Sequence, residues 1–162
     1  MATIKFKKGD DYAVKLGNLS ARLRDQVIGA GIYEGAGILI GSVREELRAL
    51  PTDERFGTQG TPTVGPKKVQ KEGLDASLGI TPMETDKRGF TNVSVGFHEY
   101  NKVKTKAWPK GQPNQMVARS VEKGTSFMLP NSFVKRGVAK CKKRVLDAMK
   151  KRCDEEIEKI VK

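Results

Sequence analysis

The sequence predicts an α/β (α+β) protein: a small antiparallel sheet flanked by a long N-terminal helix and a long C-terminal helix, with two long loops. Three patterns predict it. Val27 or Ile28, Ile32, Ala36, Leu39, Val43, Leu47 and Leu50 step by three or four, the period of a helix face. Val134, Val138, Cys141, Val145, Met149, Cys153, Ile157 and Ile160 do the same near the end of the chain. Between them, Thr91, Val93, Val95 and Phe97 alternate with Asn92, Ser94 and Gly96, the period of a half-buried strand. A chain of 162 residues suits one core and is short for two, so a single domain over 1–162 is expected.

The elements follow in order. Ile4-Lys5-Phe6 reads as a short strand or arm. Gly9-Asp10-Asp11 reads as a helix start, its acids placed for the positive end of the dipole, with Tyr12, Leu16, Leu19 and Leu23 at helical spacing. The first strong helix runs from about Asp25 to Leu50 and stops at Pro51. Arg44, Glu45, Glu46 and Arg48 are expected on its outer side. Gly29, Gly31, Gly35, Gly37 and Gly41 each cost this helix about 1 kcal/mol relative to Ala, a cost that close packing against a neighbour would offset. Gly29–Gly35 lacks the preceding strand and glycine spacing of a dinucleotide loop. Gln26–Val43 is barely long enough to span a bilayer, and Glu34 at its centre would be penalised there by several kcal/mol, so no membrane role is expected.

Residues 52–72 have no apolar period and read as a loop. Gly73–Leu78 reads as a helical turn before extended structure near Gly79–Met83. A hairpin is expected between about Leu78–Glu84 and Phe90–Phe97, turned at Asp86-Lys87-Arg88-Gly89. His98–Asn114 reads as a second polar loop, a short helix follows over Gln115–Val121, and the last helix closes the chain. Loops 52–72 and 98–112 are expected to be mobile in a free subunit, with Phe56, Tyr100 and Trp108 as docking residues.

Charge is unevenly spread. The chain holds 31 Lys and Arg against 19 Asp and Glu, a net charge of +12. Residues 1–100 carry 14 basic and 13 acidic side chains; residues 101–162 carry 17 and 6. Such a bias suits either a polyanionic partner or a solvated basic face. Lys102, Lys104, Lys106, Lys110, Lys140, Lys143, Arg144, Lys150 and Lys151 are the cations expected to meet DNA or a neighbouring protein. Lysines interleaved with Tyr100 and Trp108 suit charge and stacking contacts with nucleic acid, and equally a loop whose aromatic tips pack on a neighbour.

Little points to catalysis. His98 is the sole histidine, reads as a surface residue, and has no nucleophile–base pattern around it. Cys141 and Cys153 are too few for a disulfide scaffold or, with one histidine, a zinc site of ordinary spacing. Twelve residues apart on a helix, about 18 Å, they cannot bridge each other. No catalytic residue, cofactor or metal site is expected. Met1–Asp10 lacks the apolar run of a signal peptide, so a soluble chain made in a reducing cytoplasm is expected.

The order of short motifs is similar to that of a known family. After Pro51 and a loop come Gly73-Leu74-Asp75-Ala76-Ser77-Leu78 and a hairpin. Next come Val117-Ala118-Arg119-Ser120-Val121-Glu122-Lys123-Gly124-Thr125 and Pro130-Asn131-Ser132-Phe133-Val134-Lys135-Arg136-Gly137, then the last helix. This resembles the gene-product-ten-like neck or tail-completion family of long-tailed double-stranded DNA phages and prophages, across about residues 5 to 160. Residues 52–72 and 98–112 depart from the family's compact pattern. The resemblance implies a structural virion protein at the head–tail junction, made in a bacterial host. It implies a homo-oligomeric ring, hexamer or dodecamer, between the head connector and the tail terminator or tube, with double-stranded DNA passing through. The alternative from the residues alone is a non-specific nucleic-acid-binding protein using the basic C-terminal helix.

Overall fold

A computed structural model describes residues 2–5, 17 and 21–161. Its elements in chain order are β1 (Ala2–Lys5), α1 (Ala21–Arg48), α2 (Lys68–Ser77), β2 (Leu78–Ile80), β3 (Glu84–Thr85), β4 (Thr91–Phe97), α3 (Asn114–Lys123) and α4 (Phe133–Val161). The fold is mixed α+β, with long N- and C-terminal helices and a small antiparallel sheet, as the periodicities predict. In the sheet, β4 is central between β1 and β2, and β3 pairs β4 farther along. Ala2 faces Val95 and Lys5 faces Asn92 in one ladder; Glu84 faces Asn92 and Thr85 faces Thr91 in the other. Asp86 makes the turn: its backbone N–H donates to Phe90 O at 2.9 Å, and its carboxylate accepts the N–H groups of Arg88 and Phe90.

The chain forms two compact units. One comprises residues 40–79 and 96–140; the other comprises the described residues among 2–39, with 80–95 and 141–161.

In the 40–79/96–140 unit, Val43, Leu47, Leu50, Leu74, Phe97, Val117, Val121 and Phe133 are buried. Burial of such side chains contributes about 1.5–3 kcal/mol each. The Phe97 and Phe133 rings lie 6.0 Å apart at 58°, a tilted pairing that favours the ring quadrupoles. Helix α2 packs on α3. Gly137 lets α4 approach α1 closely: a Cβ there would lie 2.9 Å from the Val43 Cα, and Ser42 Oγ donates to Gly137 O at 2.8 Å.

In the other unit, Val27, Ile32, Ala36, Val93, Met149 and Cys153 are buried. The glycines of α1 divide here. A Cβ at Gly31 would meet Cys153 Sγ at 2.5 Å, and one at Gly35 would meet Met149 Cγ at 2.6 Å. These two are contact glycines. A Cβ at Gly37 or Gly41 would meet nothing within 4 Å, so close packing does not account for either. Helix α1 is long and apolar enough to cross a bilayer by length and composition, but its apolar stripe is spent inside the protein.

Several boundaries differ from the sequence expectation. Helix α1 is described from Ala21, already helical before Asp25, and ends at Arg48. Residues 52–72 are not all loop, because α2 begins at Lys68. Its first turn has an external cap that no local pattern shows: the Lys68 N–H donates to Glu54 Oε1 at 2.8 Å. Helix α3 is longer than expected, opening at Asn114 and closing at Gly124, whose φ of +74° only glycine adopts easily. Glu46 is not on an outer face; it is buried. Of the expected N-terminal strand, Phe6 lies outside the described residues, as do Gly9–Leu16 and Leu19 of the first expected helix.

Candidate interaction surfaces

Three surfaces carry the residues singled out by the sequence. The first is a projecting tongue, residues 101–112, in the 40–79/96–140 unit. Glu99, with a φ of +59°, turns the chain out of β4, and its carbonyl accepts the Asn114 N–H at 3.0 Å. The two arms are then tied rung by rung. Asn101 N–H donates to Gln112 O at 2.9 Å, and Gln112 N–H donates to Val103 O at 3.0 Å. Thr105 and Trp108 exchange backbone N–H···O bonds of 3.1 and 3.0 Å across Lys106-Ala107. Asn101 and Asn114 are buried at the root; Asn101 Oδ1 accepts the Val103 N–H, and Asn114 Nδ2 donates to His98 O. Gly111 sits at a φ of +114°, and a Cβ there would collide with Asn101 O. The expected loop 98–112 is a loop, with backbone hydrogen bonds linking its two sides.

Lys102, Lys104, Lys106 and Lys110 are all exposed on the tongue. Tyr100 lies at its base, exposed and bridged to Pro113, and Trp108 at its tip is 38% exposed. Between Tyr100 and Glu122 the chain has no Asp or Glu.

The second surface joins loops 53–66 and 124–131 of the same unit. Thr63 N–H donates to Phe127 O at 2.9 Å, and Leu129 N–H donates to Thr63 O at 2.8 Å. Asp53 organises the first loop: its buried carboxylate binds the Arg55 guanidinium at 2.7 Å and accepts the backbone N–H groups of Arg55 and Val64. The Arg55 hydrogen bond holds the Asp53 carboxyl well below the usual carboxylate range. Phe56 is 86% exposed, with the Lys67 ammonium 3.7 Å from its ring centroid, a cation–π contact. Phe127, Leu129 and Val64 are exposed on the same interlocked loops. Phe56 is singled out by the sequence; these three are not. The apolar run Phe127-Met128-Leu129 between Gly124 and Pro130 was the available signal.

The third surface is α4, and here the expected cations do not act alike. Lys140 is not free to face DNA: with Arg136 it grips the buried Glu46 carboxylate, Arg136 Nε at 2.8 Å. Hydrogen bonds from Lys140 and then Arg136 lower the Glu46 pKa. Lys151 lies 3.9 Å from Glu155, and Arg152 and Lys159 bind Glu156 at 3.0 and 2.9 Å. Lys143, Arg144 and Lys150 are exposed.

His98 is not a surface residue as expected. It is half-buried beside Gly79, and its Nε2 is enclosed without a hydrogen-bond partner. Among the described residues, no group of three or more His, Cys, Asp or Glu side chains is arranged to hold a metal ion. Cys153 is buried with Sγ 3.6 Å from Val27 O, and burial, with Asp154 and Glu156 nearby, pushes its thiol up to about 11. No family model, curated protein or solved structure matches this chain.

Proposed function

We propose that this chain is a structural protein of a phage neck, assembling as a homo-oligomeric ring that joins the head connector to the tail around the DNA path. One observation supports the reading most: the short motifs behind the resemblance meet in a single junction. Glu122 of the Glu-x-Gly-Thr turn accepts the Val134 and Lys135 N–H groups at the start of α4. Gly124 supplies the left-handed turn, where a Cβ would lie 2.9 Å from Pro130. Phe133 of the Pro-x-x-Phe step is fully buried. Motifs that are weak as strings thus act together as one device that starts the C-terminal helix. Gly73-Leu74 is equally constrained, with Leu74 buried and a Cβ at Gly73 2.8 Å from Asn101 Cβ.

The exposed Phe56, Phe127 and Leu129 suit contact between subunits or with a neighbouring ring. The test is genetic and structural. Removing the gene from the phage or prophage that encodes it should leave filled heads and separate tails, and added protein should join them. Electron microscopy of the joined particles should show the chain as a ring at the junction. Normal virions without the protein would refute the proposal.

A further inference from the structure

We infer that the tongue, residues 101–112, is an element of this chain that touches duplex DNA, through the phosphate backbone. The inference rests on the neck reading only for the source of the DNA. Four features carry it.

The tongue has the charge. Lys102, Lys104, Lys106 and Lys110 are exposed, and none makes an ion pair among the described residues. On α4, Arg136 and Lys140 hold Glu46, and Lys151, Arg152 and Lys159 lie against Glu155 or Glu156, while Lys135, Lys142, Lys143 and Arg144 are exposed and make no ion pair among the described residues. A cation already paired to a carboxylate gains less from a phosphate.

The tongue has the spacing. Along its first arm, burial alternates: Asn101 buried, Lys102 exposed, Val103 half-buried, Lys104 exposed. Lys102 and Lys104 stand on the first arm and Lys106 and Lys110 beyond it, so the charges are spread along the tongue.

The tongue is also pre-shaped. Its rungs at Asn101–Gln112 and Thr105–Trp108, and the glycine at 111, fix the loop before any partner arrives. Little ordering entropy is then lost on binding.

The residue types favour phosphate over protein. Protein interfaces are depleted in lysine and enriched in arginine, yet all four tongue cations are lysine. Lysine contacts phosphate as a mobile point charge, and such contacts carry no sequence information. Binding should therefore be non-specific and salt-sensitive, as suits DNA that must slide past.

The test uses the full chain and a 30-base-pair duplex, titrated by fluorescence anisotropy from 50 to 200 mM salt. Each neutralised phosphate contact adds about −0.9 to the slope of log K against log salt. Four lysines should therefore contribute about −3.6, a loss of roughly 150-fold over that range. The variant K102Q/K104Q/K106Q/K110Q should lose most binding and show a slope shallower by about 3 to 4. The variant K102R/K104R/K106R/K110R, which keeps the charge, should retain binding. A helix variant, K142Q/K143Q, should lose less binding than the tongue variant. Circular dichroism confirms folding. If the glutamine variant does not fold, K106Q at the tip with the arginine variant as its pair gives the same comparison. Three results would overturn the inference: no DNA binding by the wild type, loss in the helix variant rather than the tongue variant, or tongue-dependent capture of poly-glutamate in place of DNA. Head–tail joining is scored separately. Tongue-dependent DNA binding without joining would refute the neck reading alone; joining by a protein whose tongue ignores DNA would refute this inference alone.

Discussion

Gly137 of α4 lies against the backbone of Val43 in α1, so close that a Cβ at 137 would sit 2.9 Å from the Val43 Cα and 3.1 Å from its backbone nitrogen. Backbone cannot step aside as the end of a flexible side chain can. Gly137→Ala should therefore destabilise the fold by about 1–3 kcal/mol, an overpacking cost that outweighs the gain in helix propensity. Ser42→Ala removes only the Oγ bond to Gly137 O and should cost about 1 kcal/mol. Urea denaturation of the two variants checks the order; a stabilised Gly137→Ala would show that the helices separate easily.

A second contrast concerns neighbours on α4. Val145 is 7% exposed and Leu146 is 56% exposed. Val145→Asp buries a charge with no partner and should cost several kcal/mol. Leu146→Asp should stay within about 0.5 kcal/mol of the wild type. Equal melting temperatures for the two variants would mean that the apolar stripe is misassigned.

These two pairs mark what the sequence makes legible. Val27, Ile32, Ala36, Leu39, Val43, Leu47 and Leu50 are all buried, because a helix face repeats every three to four residues and the pattern is local. Val93, Val95 and Phe97 are buried for the same reason at period two. The environment of Glu46 is not local: it depends on Arg136 and Lys140, ninety and ninety-four positions away. Its neighbours Glu45 and Arg48 are exposed and offer no hint. The start of α2 is capped partly from afar, by Glu54 fourteen positions back, beside the local Gln70 Oε1 that accepts the Lys67 N–H. The 98–112 segment is a loop, as its polarity predicts, but the backbone bonds that link its two sides are not encoded by composition. Of the candidate surface residues, composition identified the tongue lysines, but it could not separate them from Lys140, whose charge is already matched.

Acid should weaken the fold through three carboxylates. Hydrogen bonds from Lys140 and Arg136 lower the Glu46 pKa, and one from Lys159 lowers that of Glu156, both from an ordinary 4.5. One from Arg55 lowers that of Asp53 from an ordinary 3.8. A carboxylate with a depressed folded pKa contributes stability that is present above its unfolded value. That stability is lost as pH falls from there toward the folded value. The urea midpoint should therefore be flat from pH 7 to about 5 and fall steadily below about 4.5. Glu46→Gln should lower the midpoint at pH 7 and flatten its fall in acid. A midpoint unchanged down to pH 3 would contradict these ion pairs.

Both thiols should be inert in the folded protein. Cys141 and Cys153 are buried, and the Cys153 thiol is pushed up to about 11. The thiolate is the reactive species; little of it exists at Cys153 at pH 8, and burial keeps a reagent from either sulfur. Titration with a chromogenic disulfide should show slow reaction in buffer and both thiols reacting promptly in urea. Rapid modification of Cys153 in buffer would mean that the Val27–Cys153 contact opens readily.

The last prediction concerns the start of α4. A helix begins with N–H groups that have no partner within it. Here Glu122, twelve residues before Val134, supplies two acceptors at once: Oε2 to the Val134 N–H at 2.9 Å and Oε1 to the Lys135 N–H at 3.1 Å. Removing an N-terminal cap typically costs about 1 kcal/mol, and up to about 2. Glu122→Ala should fall in that range. Glu122→Gln keeps one acceptor oxygen and should lose roughly half as much, since charge-assisted bonds are about twice as strong as neutral ones. The loss should be local first. Hydrogen exchange at Val134 and Lys135 should accelerate in Glu122→Ala before exchange near Met149 changes, because the cap holds only the first turn. If exchange rises equally along α4, Glu122 stabilises the whole unit rather than the helix start, and its place in the Glu-Lys-Gly-Thr turn has a different cause.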